Sequence, residues 1–307
     1  MTMAFVFPGQ GSQSVGMMAA YGDATVVRDT FAEASAELGF DLWAMVAEGS
    51  AEALNQTVNT QPAMLAAGVA VFRLWQSLGG SPPAYMAGHS LGEYTALCCA
   101  GAIAFADAVR LVRLRAEAMQ AAVPEGAGAM AALLGLDDNA VRAVCSDAAR
   151  GEILAAVNYN APGQVVIAGH KAAVERACAL AKERGAKRAL PLPVSVPSHC
   201  ELMRPAAARL RAALAATAIH APVVPVLHNA DVMSHSEPEA IRDALARQLY
   251  SPVRWVESMQ ALAERGVTRI AECGPGKVLA GLNKRILDNV PCVALADAAA
   301  IAAAMGE

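Results

Sequence analysis

The chain has 307 residues, 55% hydrophobic and 17% charged, with a formal net charge of -4, which is enough material for a buried core in one large domain or two unequal ones. A mildly acidic balance without a Lys/Arg block argues against nucleic acid as the main partner. The start of the chain carries neither a basic stretch nor a long apolar one, and apolar runs such as 63–72 end at a charge well short of a membrane span, so the expectation is a cytoplasmic protein with no membrane partner.

The first predicted element is a strand at 4–7, which runs into the loop FPGQGSQ with Gly9 and Gly11. A strand entering G-x-G invites a dinucleotide reading, because such loops let the backbone approach a pyrophosphate. Ser14 stands where the third glycine is needed, and a tight strand-to-helix turn explains the loop equally well. A second strand at 85–87 leads into Gly88-His89-Ser90-Leu91-Gly92, followed by a helical pattern. This is the setting of a nucleophile elbow, in which flanking glycines make room for a strained turn that lifts Ser90 into the open. A glycine-rich turn with a capping serine is the structural alternative. The next helix, 106–122, has an apolar stripe at Ala108, Leu111, Val112, Met119 and Ala122 with Arg115 in its middle. Arg110 and Arg113 fall on the far face, where Arg113 can pair with Glu117. A guanidinium facing a core must be paired, so Arg115 meets either a protein carboxylate or an anionic ligand. Helix geometry alone favours the internal pair.

Between 124 and 197 the rhythm changes to strand 129–136, helix 138–149, strands 153–159 and 165–168, helix 171–184 and strand 188–192. That β-α-β-β-α-β order is ferredoxin-like. The segment is entered through PEGAG and left through LPLPVSVP, both plausible hinges. The expected organisation is a large domain at 1–124 and 198–307 with a small inserted domain at 125–197. Further strands at 223–228 and 268–271 complete the alternation of an α/β fold with a largely parallel sheet.

A serine nucleophile needs a base, and six histidines compete for the role. His199, in PVSVPSHC, lies on the return from the small domain to the large one, where a cleft residue belongs. His89 adjoins the serine and should point elsewhere. The seven cysteines form no C-x-x-C pair, so neither a disulfide framework nor a metal site is suggested, and Cys200 beside His199 reads as packing.

Taken together, FPGQGSQ at 7–13, TQPA at 60–63, GHSLGEY at 88–94, Arg115, NYNAPGQVVIAG at 158–169, PVSVPSH at 193–199 and GPGKVL at 274–279 resemble the malonyl-CoA:acyl carrier protein transacylase family, the malonyl loaders of bacterial type II fatty acid synthesis. The GPGK tetrapeptide is not a P-loop, since Val278 follows the lysine and Ala271 stands where its first glycine would be. The resemblance implies an α/β-hydrolase-like large domain with a ferredoxin-like insert. It also implies transfer of malonyl from malonyl-CoA to the pantetheine thiol of an acyl carrier protein through a malonyl-serine on Ser90. His199 would be the base, oriented by a backbone carbonyl near the family glutamine that Gln248 matches, and the N–H groups of Gln10 and Leu91 would form the oxyanion hole. Arg115 would take the malonyl carboxylate, with Gln61 and Asn160 as further substrate-binding residues. The family implies no cofactor or metal beyond the coenzyme A thioester itself, and a monomer. Two basic clusters, Lys182, Arg184, Lys187 and Arg188 on the small domain and Lys284 and Arg285 on the large one, are candidates for docking an acidic carrier protein. A serine hydrolase would share the elbow chemistry but needs no buried cation, and a carrier-binding module would need no intact Ser and His. A loader of methylmalonyl or of malonate-decarboxylase type is the alternative within the transferases, although Ser198 before the histidine fits the malonyl type.

Overall fold

The computed structural model describes residues 2–194 and 196–306. Two sheets organise the chain. The first contains β1 (Met3–Phe7), β2 (Tyr85–Gly88), β7 (Val226–Leu227), β8 (Arg269–Glu272) and β9 (Cys292–Ala294), all parallel, in the order β7-β2-β1-β8-β9. Side chains of a strand alternate between faces. Ala4 and Val6 therefore join Ala87, Leu227, Trp255 and Ile270 on one side, whereas Phe5 and Phe7 join Met86 and the helix Thr57–Ser77 on the other. A parallel sheet covered on both faces explains why these strands read as unbroken apolar runs.

The second sheet is antiparallel and comes from one continuous stretch: β3 (Gly128–Leu134), β4 (Leu154–Ala161), β5 (Gln164–His170) and β6 (Arg188–Pro191), in the order β4-β5-β3-β6. Counted within that stretch and read from β6, the order is 4-1-3-2, the ferredoxin-like arrangement anticipated from the pattern. The helices Asp138–Ala149 and Lys171–Glu183 cover one face through Val141, Val144, Val174 and Ala177 against Leu133, Val165 and Ile167. The other face, with Met130, Val157 and Val166, packs towards Cys200. β4 is tied to the large unit by Tyr159 N–H to Val253 O (3.0 Å) and Val253 N–H to Val157 O (2.8 Å), so this face forms one wall of a cleft.

Two elements differ from expectation. The strand expected at 223–228 shrinks to Val226–Leu227, because Pro222 and Pro225 lack the N–H a ladder needs, and Pro225 contributes only its carbonyl, to Met86 N–H at 2.9 Å. The edge strand Cys292–Ala294 was not anticipated, being three residues long.

The helix Thr57–Ser77 contains Pro62, which cannot donate to the carbonyl of Val58 four residues earlier. Arg113, on the neighbouring helix Phe105–Ala121, donates to that carbonyl instead at 3.1 Å, and also pairs with Glu117 at 2.7 Å as its spacing predicted.

Candidate active site

Ser90 sits between β2 and the helix Gly92–Cys99 with φ of +53°, in the left-handed region unusual for a residue with a side chain. The flanking glycines make that turn possible: a Cβ on Gly88 would stand 1.8 Å from Gly92 C, and one on Gly92 would stand 2.0 Å from Phe7 O. The opening loop packs on the same turn, since a Cβ on Gly9 would lie 2.5 Å from His89 O. Close approach of backbone to backbone accounts for that glycine.

Ser90 Oγ lies 2.7 Å from His199 Nε2, and His199 Nδ1 lies 2.8 Å from the carbonyl of Gln248. The second contact places the imidazole proton on Nδ1, where it is donated to the carbonyl, and leaves Nε2 as an acceptor for the serine hydroxyl. His199 is itself at φ +66° and buried. Burial, with the nearby Arg115 cation second, pulls its pKa down to about 3, so the ring is neutral at ordinary pH.

Arg115 is 1% exposed. Its Nη1 donates to Gln61 Oε1 at 2.7 Å, and its Nη2 to Gln248 Oε1 at 3.0 Å and Ser90 Oγ at 3.3 Å. Nε is buried without a partner. The internal carboxylate pair favoured by helix geometry is absent: among the described residues Arg115 hydrogen-bonds only neutral oxygens. Helix geometry showed that the side chain faces inward but said nothing of what the facing helix would present. Burial lowers the guanidinium pKa, with Tyr94 and Glu93 acting against that shift.

Gln61 is buried, and its Nε2 donates to Thr57 Oγ1 at 3.2 Å, whose hydroxyl donates in turn to Gln10 Oε1 at 3.0 Å. Among the described residues no acceptor takes the backbone N–H of Gln10 or of Leu91, and both residues line the cavity beside Ser90. That cavity, of about 120 Å³, is also lined by Gln61, Arg115, Met130, Asn158, Leu192 and Val194. Asn160 is placed differently from expectation: its Oδ1 lies 2.8 Å from His89 Nε2, and Asn158 of the same strand reaches the cavity wall. In the bulged strand β4 the residue that faces the cleft depends on a register shift between Ala156 and Asn158 that no pattern announces. Cys200 is buried, its Sγ donates to Pro197 O at 3.2 Å, and burial raises its pKa to about 11, in keeping with packing.

All six cations of the two basic clusters are exposed, and two of them are engaged within the protein: Arg184 pairs with Asp147, and Arg285 donates to Gln164 Oε1 (2.5 Å) and Pro162 O (2.9 Å) at the β4–β5 turn.

Three residues of the site escaped the sequence reading. Asn229 Oδ1 accepts the N–H of Ser90 at 2.7 Å while its Nδ2 donates to Gly88 O at 2.7 Å, bracing the elbow. Glu93 and His228, both fully buried, meet at 2.7 Å behind it. A charged residue on the buried side of a short apolar helix was the available signal for Glu93. Asn229 had none, being 139 positions from its partner.

A family model described as the acyl transferase domain matches residues 4–305. Malonyl CoA-acyl carrier protein transacylase of Escherichia coli K12 is 60% identical over 98% of both chains, and that of Bacillus subtilis is 47% identical over 96% of this chain and 93% of its own. Among solved structures, an acyl-carrier-protein S-malonyltransferase of Burkholderia pseudomallei superposes with a TM-score of 0.98 at 58% identity, covering 100% of both chains. A malonyl-transacylase solved in complex with a type II PKS acyl-carrier protein superposes with a TM-score of 0.98 at 54% identity, over 100% of this chain and 99% of that one. An elbow serine paired with histidine, an inward-facing arginine beside it and a ferredoxin-like wall over the cleft are thus found in a chain that belongs to the malonyl CoA-acyl carrier protein transacylases of the acyl transferase family.

Proposed function

We propose that the protein moves a malonyl group from malonyl-CoA to the pantetheine thiol of an acyl carrier protein through a malonyl-serine on Ser90. Ser90 Oγ attacks the thioester carbonyl while its proton passes to His199 Nε2. The carbonyl oxygen gathers charge against the N–H groups of Gln10 and Leu91, neither of which has an acceptor of its own among the described residues. Collapse breaks the carbon–sulfur bond, and the coenzyme A thiolate takes the proton from His199. The pantetheine thiol then enters by the same route: it gives its proton to His199, forms the new thioester and expels Ser90 Oγ, which recovers the proton. The Gln248 carbonyl holds His199 in the tautomer that both half-reactions need.

The observation that carries this reading is Arg115, a buried cation 3.3 Å from the nucleophile and held there by two neutral amide oxygens. A hydrolase of simple acyl groups has no use for it, whereas the free carboxylate of malonyl can take it at two points. Acetyl-CoA would leave the cation buried without that partner, a difference on the order of 2–5 kcal/mol, or roughly thirtyfold to several thousandfold in preference. The carrier protein docks on the exposed cations Lys182, Lys187 and Arg188 of the small unit and Lys284 of the large one.

Intact-mass measurement after mixing with malonyl-CoA, acetyl-CoA and methylmalonyl-CoA tests the reading. One malonyl mass should map to the Ser90 peptide, and Arg115→Ala should cut malonyl loading steeply while leaving acetyl loading equal or improved. A label on another residue overturns the covalent route. A folded Arg115→Ala variant that still prefers malonyl overturns the carboxylate reading.

A further inference from the structure

Behind the elbow lies a group that the steps above do not use. Glu93, in the first turn of Gly92–Cys99, is completely buried and does not line the cavity. Its carboxylate meets three donors: His228 Nδ1 at 2.7 Å, the backbone N–H of Asn229 at 2.8 Å and Gln248 Nε2 at 2.9 Å. Burying a carboxylate is unfavourable without such donors, and here they come from two separate segments, 228–229 after β7 and Gln248 at the end of the helix Pro238–Gln248.

We infer that Glu93 is a positioning residue for acyl selectivity, which holds the side-chain amide of Gln248 in the one orientation that turns its oxygen to Arg115. The inference rests on the reading of Arg115 as the receptor of the malonyl carboxylate. An amide has a donating end and an accepting end, and the surroundings of Gln248 distinguish them. Nε2 faces two acceptors, Ser90 O and Glu93 Oε2, each at 2.9 Å. Oε1 faces Arg115 Nη2 at 3.0 Å. Rotating the amide by half a turn would set its NH2 against a guanidinium and its oxygen against a carboxylate, so every contact would become repulsive. The carboxylate cannot donate, and it therefore fixes the polarity of the amide and, through it, the seat of the guanidinium beside Ser90. Standing one amide away, Glu93 also offsets the buried cation without occupying the fork that the substrate needs.

The near-isosteric Glu93→Gln variant removes the charge and gives position 93 a donor of its own, which takes away one of the contacts that oppose the rotated amide and weakens its hold on Arg115. Its kcat/KM for malonyl-CoA relative to acetyl-CoA should fall by at least about tenfold, the change appearing mainly in KM for malonyl-CoA. A purely structural role would lower both substrates together, and a ratio within about twofold of the parent in a folded Glu93→Gln variant overturns the inference. The exchanged pair supplies a second test. Gln248→Glu alone opposes two carboxylates and should lose both loading and stability. Combined with Glu93→Gln it restores the hydrogen bond with its polarity reversed, so acetyl loading recovers while malonyl preference stays lost, because the carboxylate now stands against Arg115. If Glu93→Gln does not fold, the pair is read in its place, and a pair that recovers neither folding nor acetyl loading overturns the inference. Arg115→Ala separates the two ideas. If that variant keeps its preference for malonyl, the carboxylate reading fails and takes the inference with it. If it loses the preference while Glu93→Gln keeps it, the inference alone fails.

Discussion

The two sheets of this molecule contribute differently to the same cleft. The parallel sheet delivers reactive groups at the carboxyl ends of its strands: Gln10 after β1, Ser90 after β2, His228 and Asn229 after β7. That is where open α/β sheets place ligands, because consecutive crossover connections leave their loops at that edge. The antiparallel sheet sends no nucleophile, acid or base into the cleft. Its contribution is a wall, with Met130 and Asn158 on its strands and Leu192 and Val194 just beyond β6. Chemistry and shape are thus supplied by different units, and each can be perturbed separately.

The sharpest way to break that division is at the elbow. Ser90→Ala should lower malonyl loading by at least about 10⁴-fold with little change in thermal unfolding, as followed by intact mass and by calorimetry. Next in size, His199→Ala should slow the first half-reaction by roughly 10²–10⁴ in a stopped-flow assay; an unchanged rate would remove that ring from proton transfer. On the other side, Ile167→Ala cuts the buried face that the two small-unit helices cover and should destabilise the protein by about 2–5 kcal/mol in denaturant titration. If it shifted malonyl-to-acetyl preference as well, the separation of shape from chemistry would be wrong.

A pH experiment sharpens the comparison further. His199 has a native pKa of about 3, whereas an unfolded histidine titrates near about 6.5. Between those values the unfolded chain binds the extra proton. Stability from this group is therefore complete above about 6.5 and is lost as pH falls, by at most ~1.4 kcal/mol per pH unit. Denaturation at pH 7.5 and 5, as about two working points, should show a larger drop for the parent than for His199→Gln. Parallel losses would mean that the ring is not buried neutral. The smallest effect is expected from Arg285→Ala, which unties the large unit from the β4–β5 turn; an exposed tether of this kind should contribute under about 1 kcal/mol to unfolding and leave the chemical rate unchanged.

How far the site could be read from residue order follows from how local each signal is. Ser90 announced itself through glycines two residues either side, and Arg115 through its place on an apolar stripe. The ferredoxin-like unit was legible because its six elements are consecutive, with alternation and helical period intact from Gly128 to Pro191. What stayed hidden depends on distant partners. Gln248 joins Glu93 across 155 positions and Ser90 across 158. No periodicity marks such a contact, and residue order alone suggested a carboxylate for Arg115 where folding supplied two amides. The strand at Val226–Leu227 was overextended because its apolar run is longer than the backbone its prolines allow to pair.

The missing donor at Pro62 has a consequence for how precisely the site is gauged. Gln61 precedes that proline, and Arg115 lies two positions beyond Arg113, the residue that fills the vacant bond at Val58. The helices that carry the two halves of the Gln61–Arg115 contact are therefore pinned to each other one turn from it. Sliding one past the other by a single residue, about 1.5 Å, would break both bonds at once. The proline interrupts one helix and in doing so gives the pair a fixed vernier, so that the width of the acyl seat is set between helices before any substrate arrives.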